Sequence, residues 1–345
     1  EMFDSFVRVG RNPYFKKMPD GTERHATEIE GDKAIEFLTS VTNGQPFCLS
    51  VSFNAPHAED RDPKQYFWTK RSDEFYRDVT FPVPVTMTDE FFNQQPGFLK
   101  DSESRVRFKW RFDEPAKYQE MVRGYYRMIS DVDYQIGRIR KALEELGLAE
   151  NTIIVFTGDN GYFLGDRGFA DKWYGYEKSL RVPLIIFDPR APKSKRGQAP
   201  DLMALNIDLA PTMLDLAGAD VPGIMQGRSL VPLLQGRKPK DWRTDFFFEH
   251  LMEADGVKFG RTKIPKSEGV RTEQFTYVRW FESDPLFEEL YDHQKDFEQV
   301  NNLIRNPKYA AVVDQLRKRT TELRDRYGGP FVSNFVPRNQ RKSED

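Results

Sequence analysis

Cysteine is nearly absent from this chain of 345 residues; Cys48 stands alone, which excludes an internal disulfide and any multi-cysteine zinc site. Histidine is almost as scarce, with four residues, and this argues against a zinc enzyme. No run approaches the roughly 18 uncharged apolar residues of a membrane-spanning helix. A dominant charge is missing too: 52 Lys and Arg against 54 Asp and Glu leave a net charge of −2, without the basic footprint of a nucleic-acid binder. No basic-then-apolar leader follows Glu1, and the chain reads as a mature, processed or truncated product.

What the chain does have is the balance of a globular protein, with 38% hydrophobic and 31% charged residues. Its length allows about two domains at roughly 150 residues each, and no internal repeat is visible. Residues 1–27 read as irregular. An amphipathic helix is expected over 28–43 and a compact strand over 47–53, ending in the turn Asn54-Ala-Pro-His57. Cys48 lies inside that strand and is expected to be an inert core residue. Residues 58–114, polar and aromatic, form a long excursion of the kind that covers a site.

The clearest element is a helix over 116–146. Tyr118, Val122, Tyr125, Ile129, Val132, Ile136, Ile139, Leu143 and Leu146 form its apolar stripe, and Gly147 ends it. Asn151–Thr157 is a wholly apolar strand of the type buried in a parallel sheet, and 182–187 is another. Residues 208–216 suit a helix with Pro211 in its first turn. This alternation predicts an α/β sheet covered by helices over 1–236. Beyond 237, short strands at 246–248, 268–272 and 275–281 and a helix over 308–326 predict a small antiparallel α+β subdomain, 237–345.

Chemistry concentrates just past the strand that ends at Thr157, in Thr157-Gly-Asp-Asn-Gly161 and onward to Lys172. Ligands of open α/β sheets bind outside the carboxyl ends of strands. Asp159 and Asn160 offer hard oxygen ligands for Ca²⁺ or Mg²⁺, and Lys172 a point charge for an anionic oxygen. His57 occupies the same kind of position after its own strand. Asp-Asn-Gly is also an ordinary turn, a lone lysine is ordinarily solvated and a lone histidine ordinarily structural; the combination singles these residues out.

Thr157-Gly-Asp-Asn-Gly161, Leu164-Gly165, Asp171-Lys172 and Tyr176-Glu-Lys-Ser-Leu-Arg-Val-Pro183 resemble the sulfatase family, formylglycine-dependent sulfate-ester hydrolases of the alkaline-phosphatase superfamily. Asn54-Ala-Pro-His57, Tyr277-Val-Arg-Trp280 and Glu289-Leu-Tyr-Asp292 extend the likeness over about 28–326. The resemblance implies an alkaline-phosphatase-like, mostly parallel sheet between helices, lacking its N-terminal strands. It implies Asp159 and Asn160 as calcium ligands, Lys172 as a contact to the sulfate and bridging oxygens, and His57 as a sulfate contact that protonates the departing alcohol. Arg167 stands where the family commonly has histidine and is expected to contact substrate; His250 is a further candidate for the pocket wall.

The family's nucleophile motifs, C/S-x-P-S-R and C-x-A-x-R, do not occur, nor does the early Asp-Asp pair that completes the calcium site. Cys48 is followed by Leu-Ser-Val-Ser instead. The expectation is therefore a truncated or processed portion of a sulfatase for sulfated carbohydrates or aryl sulfates, inactive alone. Its calcium site would be incomplete, and its formylglycine would sit on a missing N-terminal segment or partner chain. The family implies a periplasmic or secreted location. Other readings are a phosphoester or phosphonate hydrolase of the same superfamily and a non-catalytic pseudoenzyme.

Overall fold

A computed structural model describes residues 14–41, 44–60, 62–252 and 263–332. The chain divides into two compact units, the first formed by 1–84, 107–154 and 188–190, the second by 85–106, 155–187 and 191–345. Within the second unit the C-terminal sheet shares its core with segments as early as Leu99.

In the first unit the stretch expected to be irregular holds a short antiparallel hairpin, β1 (Phe15–Lys17) with β2 (Glu23–His25). Helix α1 (Ala26–Ser40) starts where His25 turns its ring onto the orphan amide of Thr27, while Glu28 accepts the His25 amide, a reciprocal cap. Helix α2 (Pro115–Glu145) opens on a proline in its first turn, where no amide donor is needed.

The buried line of α2 differs from the apolar stripe. Ile129 and Leu146 are exposed, whereas Met121, Met128, Asp131 and Gln135 are buried. Asp131 is tolerated there because it accepts from the Thr69 amide (2.7 Å) and from the hydroxyls of Thr69 and Ser72 (both 2.6 Å). Arg123 and Arg127 donate to the carbonyls of Tyr76 and Phe75 (both 2.9 Å). The first part of the excursion is thus clamped onto α2. At Gly124 a Cβ would stand 2.9 Å from that of Tyr66, so glycine allows the close approach.

Residues 47–53 pair with no strand among the described residues. Exposure alternates along them, with Cys48, Ser50 and Ser52 on the open side, so the expectation of a buried Cys48 is corrected: it is exposed. Period-two alternation makes a segment extended, but only a hydrogen-bonded neighbour makes it a strand.

Glu30 lies beneath the turn that follows. It accepts the Asn54 amide, and its other oxygen is buried without a partner. Burial pushes its pKa up to about 7, opposed by that amide. The folded unit therefore binds this proton more tightly than the unfolded chain, and the stability it lends is lost as pH rises from the ordinary carboxyl range through about 7. Glu30→Gln is expected to stabilise the unit at pH 8 by ~2 kcal/mol and by almost nothing at pH 4. Thermal melts at the two pH values check this; equal shifts at both would refute it.

In the second unit β3 (Ile154–Thr157) leads into a tight hairpin, β4 (Phe163–Leu164) with β5 (Ala170–Asp171), and the chain returns as β6 (Leu184–Phe187) beside β3. β3 and β6 are not buried on both faces: Phe156, Ile185 and Phe187 are exposed. Helix α3 (Leu209–Leu216) carries Pro211 in its first turn, as expected.

Four antiparallel strands follow, β7 (Asp245–His250), β8 (Ser267–Thr272), β9 (Phe275–Trp280) and β10 (Phe287–Asp292), in spatial order β10-β9-β8-β7. Alternation gives this sheet two apolar faces. Val270, Tyr277 and Leu290 pack on Val313, Leu316 and Leu323 of α4 (Ala310–Arg326). Val278, Trp280 and Tyr291 pack on Phe163, Phe169, Tyr174 and Tyr176. The sheet is therefore the floor on which the segment 157–183 is built.

Candidate active site

β3 ends at Thr157, whose hydroxyl donates to the Pro183 carbonyl (3.0 Å). The loop thus leaves and returns at one point. Asp159 is exposed, and its Oδ1 accepts the Asn160 amide (2.8 Å). Asn160 donates its side-chain NH₂ to the Gly161 carbonyl (2.7 Å), which leaves the amide oxygen as its acceptor group. Gly161 admits no side chain, since a Cβ would meet the Lys178 carbonyl at 2.1 Å. The turn is thereby pressed against the helical segment Glu177–Leu180, with the Gly161 amide on the Ser179 carbonyl (2.8 Å).

The segment carrying Lys172 is strained. Arg167 (φ 61°), Asp171 (φ 72°) and Trp173 (φ 92°) all hold left-handed backbone without being glycine. Such conformations cost of order 1–3 kcal/mol each and persist where surrounding structure imposes them. Here the aromatic floor imposes them, with Phe169 and Tyr174 fully buried on either side. Lys172 lies between two of these residues and is half-buried.

Arg167 is not at the surface. It is 3% exposed, its guanidinium 3.9 Å from the ring centre of Tyr176 and 5.2 Å from those of Tyr291 and Phe91. Its amide donates to the Thr86 hydroxyl (3.0 Å) and its side chain to the Gln299 carbonyl. Burial works against its charge, yet Tyr291, Tyr176 and Glu289 around it hold its pKa above the ordinary guanidinium range. The position where a substrate contact was expected is filled by a packed, paired arginine.

His57 belongs to the first unit. It is exposed at the end of the Asn54-Ala-Pro-His57 turn, its Nδ1 2.7 Å from the Ala58 carbonyl oxygen. Tyr14, fully buried, donates its hydroxyl toward the carbonyls of Asn54 and His57 and so fixes that turn. His250 ends β7 opposite Ser267, with its Nδ1 buried and unpartnered. Burial lowers its pKa to about 4, so the ring is neutral at neutral pH.

The general sulfatase family model matches residues 1–219, and a model described as N-sulphoglucosamine sulphohydrolase, C-terminal, matches 165–326. The chain belongs to the sulfatase family. A curated N-acetylglucosamine-6-O-sulfatase of Bacteroides thetaiotaomicron is 30% identical, the alignment covering 88% of this chain and 62% of that protein. The solved structure of BT4656 with its substrate D-glucosamine-2-N,6-O-disulfate is similar with a TM-score of 0.73 and 26% identity, over 92% of this chain and 75% of that one. A phosphonate monoester hydrolase from Silicibacter pomeroyi is similar with a TM-score of 0.71 and 25% identity, over 93% and 66%. The fold of this sulfatase chain is thus alkaline-phosphatase-like, mixed α/β with a C-terminal antiparallel sheet. The chain spans 56–62% of the length of the first curated relatives it matches.

Asp159 and Asn160 fit two ligands of an oxygen-bound divalent cation, which takes six to eight. Among the described residues no group of three His, Cys, Asp or Glu side chains completes a metal site. Cys48 does not fit a formylglycine precursor, being followed by Leu-Ser-Val-Ser. No helix among the described residues is long and apolar enough to cross a membrane. Glu289 and Tyr291 around Arg167 are not legible from local pattern, because nothing local joins positions more than 100 apart.

Proposed function

We propose that this sulfatase chain supplies the cation-binding, sulfate-binding and leaving-group parts of a sulfuric ester hydrolase acting on sulfated carbohydrate or aryl sulfate. The observation that carries the reading is Lys172, held between two left-handed residues in a loop that starts from Asp159 and Asn160 at a strand's carboxyl end. Lys172 offsets the charge on the sulfate and bridging oxygens. His57 contacts the sulfate and gives its proton to the ester oxygen as the sulfur–oxygen bond breaks, the sulfur being taken by the nucleophile that a completing segment would supply, so the alcohol leaves neutral. His250, neutral, lines the sugar side.

Asp159 and Asn160 would hold a calcium ion together with ligands from elsewhere, and such an ion compensates charge on the sulfate oxygens. The chain by itself has no nucleophile in a family motif and is expected to be inactive until that segment is supplied, in the same polypeptide or by a partner chain. Export to the periplasm or beyond belongs to the same proposal, as does the division at 236/237 into catalytic and C-terminal parts.

The test joins this chain to a segment bearing a matured formylglycine motif and compares 4-nitrophenyl sulfate, a 6-O-sulfated hexosamine and a phosphonate monoester. Hydrolysis of a sulfate ester upholds the reading. Turnover of the phosphonate alone would replace it with the phosphonate reading, for which the similarity to the Silicibacter enzyme stands. No turnover of any ester would leave a pseudoenzyme.

A further inference from the structure

Glu289 lies on β10, far along the chain from the loop, yet its carboxylate faces it. It is 3% exposed and accepts from the hydroxyls of Tyr176 (2.9 and 3.1 Å) and Tyr291 (2.7 Å) and from the Trp280 indole (2.9 Å). Those same tyrosine rings carry the guanidinium of Arg167. A buried cation and a buried anion are thus joined through two phenols rather than by direct contact. A buried charge without its partner is costly, so the pair and its bridges stay together. Arg167 is also a point where the loop backbone is left-handed, five residues before Lys172.

We infer that Arg167 and Glu289, with Tyr176 and Tyr291 between them, are positioning residues that fix the strained segment 165–173 and thereby aim Lys172. This rests on the reading of Lys172 as the sulfate contact. The C-terminal sheet is then part of the anion site's construction, although none of its residues in this network reaches solvent. Arginine at 167 serves this role through its flat guanidinium, which stacks on one ring while its edge donates to the Gln299 carbonyl.

The test uses this chain and inorganic sulfate. Lysines are trace-acylated, and the label on Lys172 is measured by mass spectrometry with and without sulfate in wild type, Glu289→Gln, Tyr291→Phe, the double variant Arg167→Met/Glu289→Gln, and Leu316→Ala. Leu316 packs on the other face of the sheet and controls for general destabilisation. The inference expects Lys172 reactivity without sulfate to change about three- to tenfold in Glu289→Gln, and less in Tyr291→Phe. In the double variant folding stability recovers because neither buried charge is left alone, yet Lys172 reactivity stays altered. Leu316→Ala melts earlier with Lys172 unchanged.

Lys172 reactivity at the wild-type value in folded Glu289→Gln and Tyr291→Phe would overturn the inference, as would recovery of reactivity in step with stability in the double variant. Should Glu289→Gln fail to fold, Tyr291→Phe and the double variant decide. Failure of sulfate to protect Lys172 in wild type would count against the sulfate-site reading instead, and is seen separately from the sulfate-free comparison.

Discussion

Lys172→Ala is expected to lower kcat/KM for a sulfate ester by about a thousandfold in the enzyme completed with its nucleophile segment, the scale of removing one preorganised charge from a transition state. A sulfate ester in hydrolysis moves negative charge onto its bridging oxygen, and on the reading proposed for Lys172 an ammonium held by strained backbone would meet that charge without reorganising. Loss should therefore fall mainly on kcat, because the ground-state ester carries the smaller charge at that oxygen. Lys172→Arg keeps the charge but changes its shape and reach, and is expected to recover only part of the rate. Steady-state kinetics of the three proteins check this. A Lys172→Ala enzyme within about threefold of wild type would remove Lys172 from the mechanism.

The second large effect concerns stability. Asp208, fully buried at the start of α3, accepts from the amides of Leu205 and Arg228 (both 2.8 Å) and from both terminal nitrogens of Arg243, one at 2.6 Å. Its backbone carbonyl takes the Thr212 hydroxyl (2.6 Å), so one residue organises the helix start, the 228 turn and the approach to β7. Gly227 is drawn so close that a Cβ there would lie 1.9 Å from the Ile207 carbonyl oxygen. Asp208→Ala leaves two amides without their acceptor and the Arg243 guanidinium, 11% exposed, without its carboxylate, with the Met203 carbonyl at 3.4 Å remaining. The expected cost is ~3–5 kcal/mol, against ~1–3 kcal/mol for Asp208→Asn, which keeps an acceptor. Urea unfolding followed by Trp242 fluorescence measures it, since that ring packs in the adjoining apolar cluster. A loss below ~1 kcal/mol for the alanine variant would show that water replaces the carboxylate at little cost.

Periodicity made several elements legible. The helices at 115–145, 209–216 and 310–326 and the strands at 154–157, 184–187, 267–272 and 275–280 fall within a few residues of expectation, because each carries its own apolar rhythm. β10 reads as polar from its three acidic residues, yet it is a core strand, with Leu290 and Tyr291 packed on opposite faces and Glu289 buried by two tyrosines and a tryptophan. The hairpin of β1 and β2 is too short and too charged to announce itself. The stretch 47–53 has strand composition, but no described strand pairs with it.

Much the same division runs through the site. Residue order alone set Asp159 and Asn160 at the end of an apolar strand, put His57 in a proline turn, and excluded a nucleophile in the family's motif, since these are local facts of spacing and composition. The depth of Arg167, the left-handed backbone on either side of Lys172 and the tie to Glu289 came only with tertiary structure. Their cause is packing between segments distant in the chain: a buried charge is stable only where its partners converge, and no local pattern encodes that convergence. The scarcity of cysteine, read first as the absence of disulfides, acquires its second meaning there too, for the one thiol present is exposed on an extended segment of the first unit.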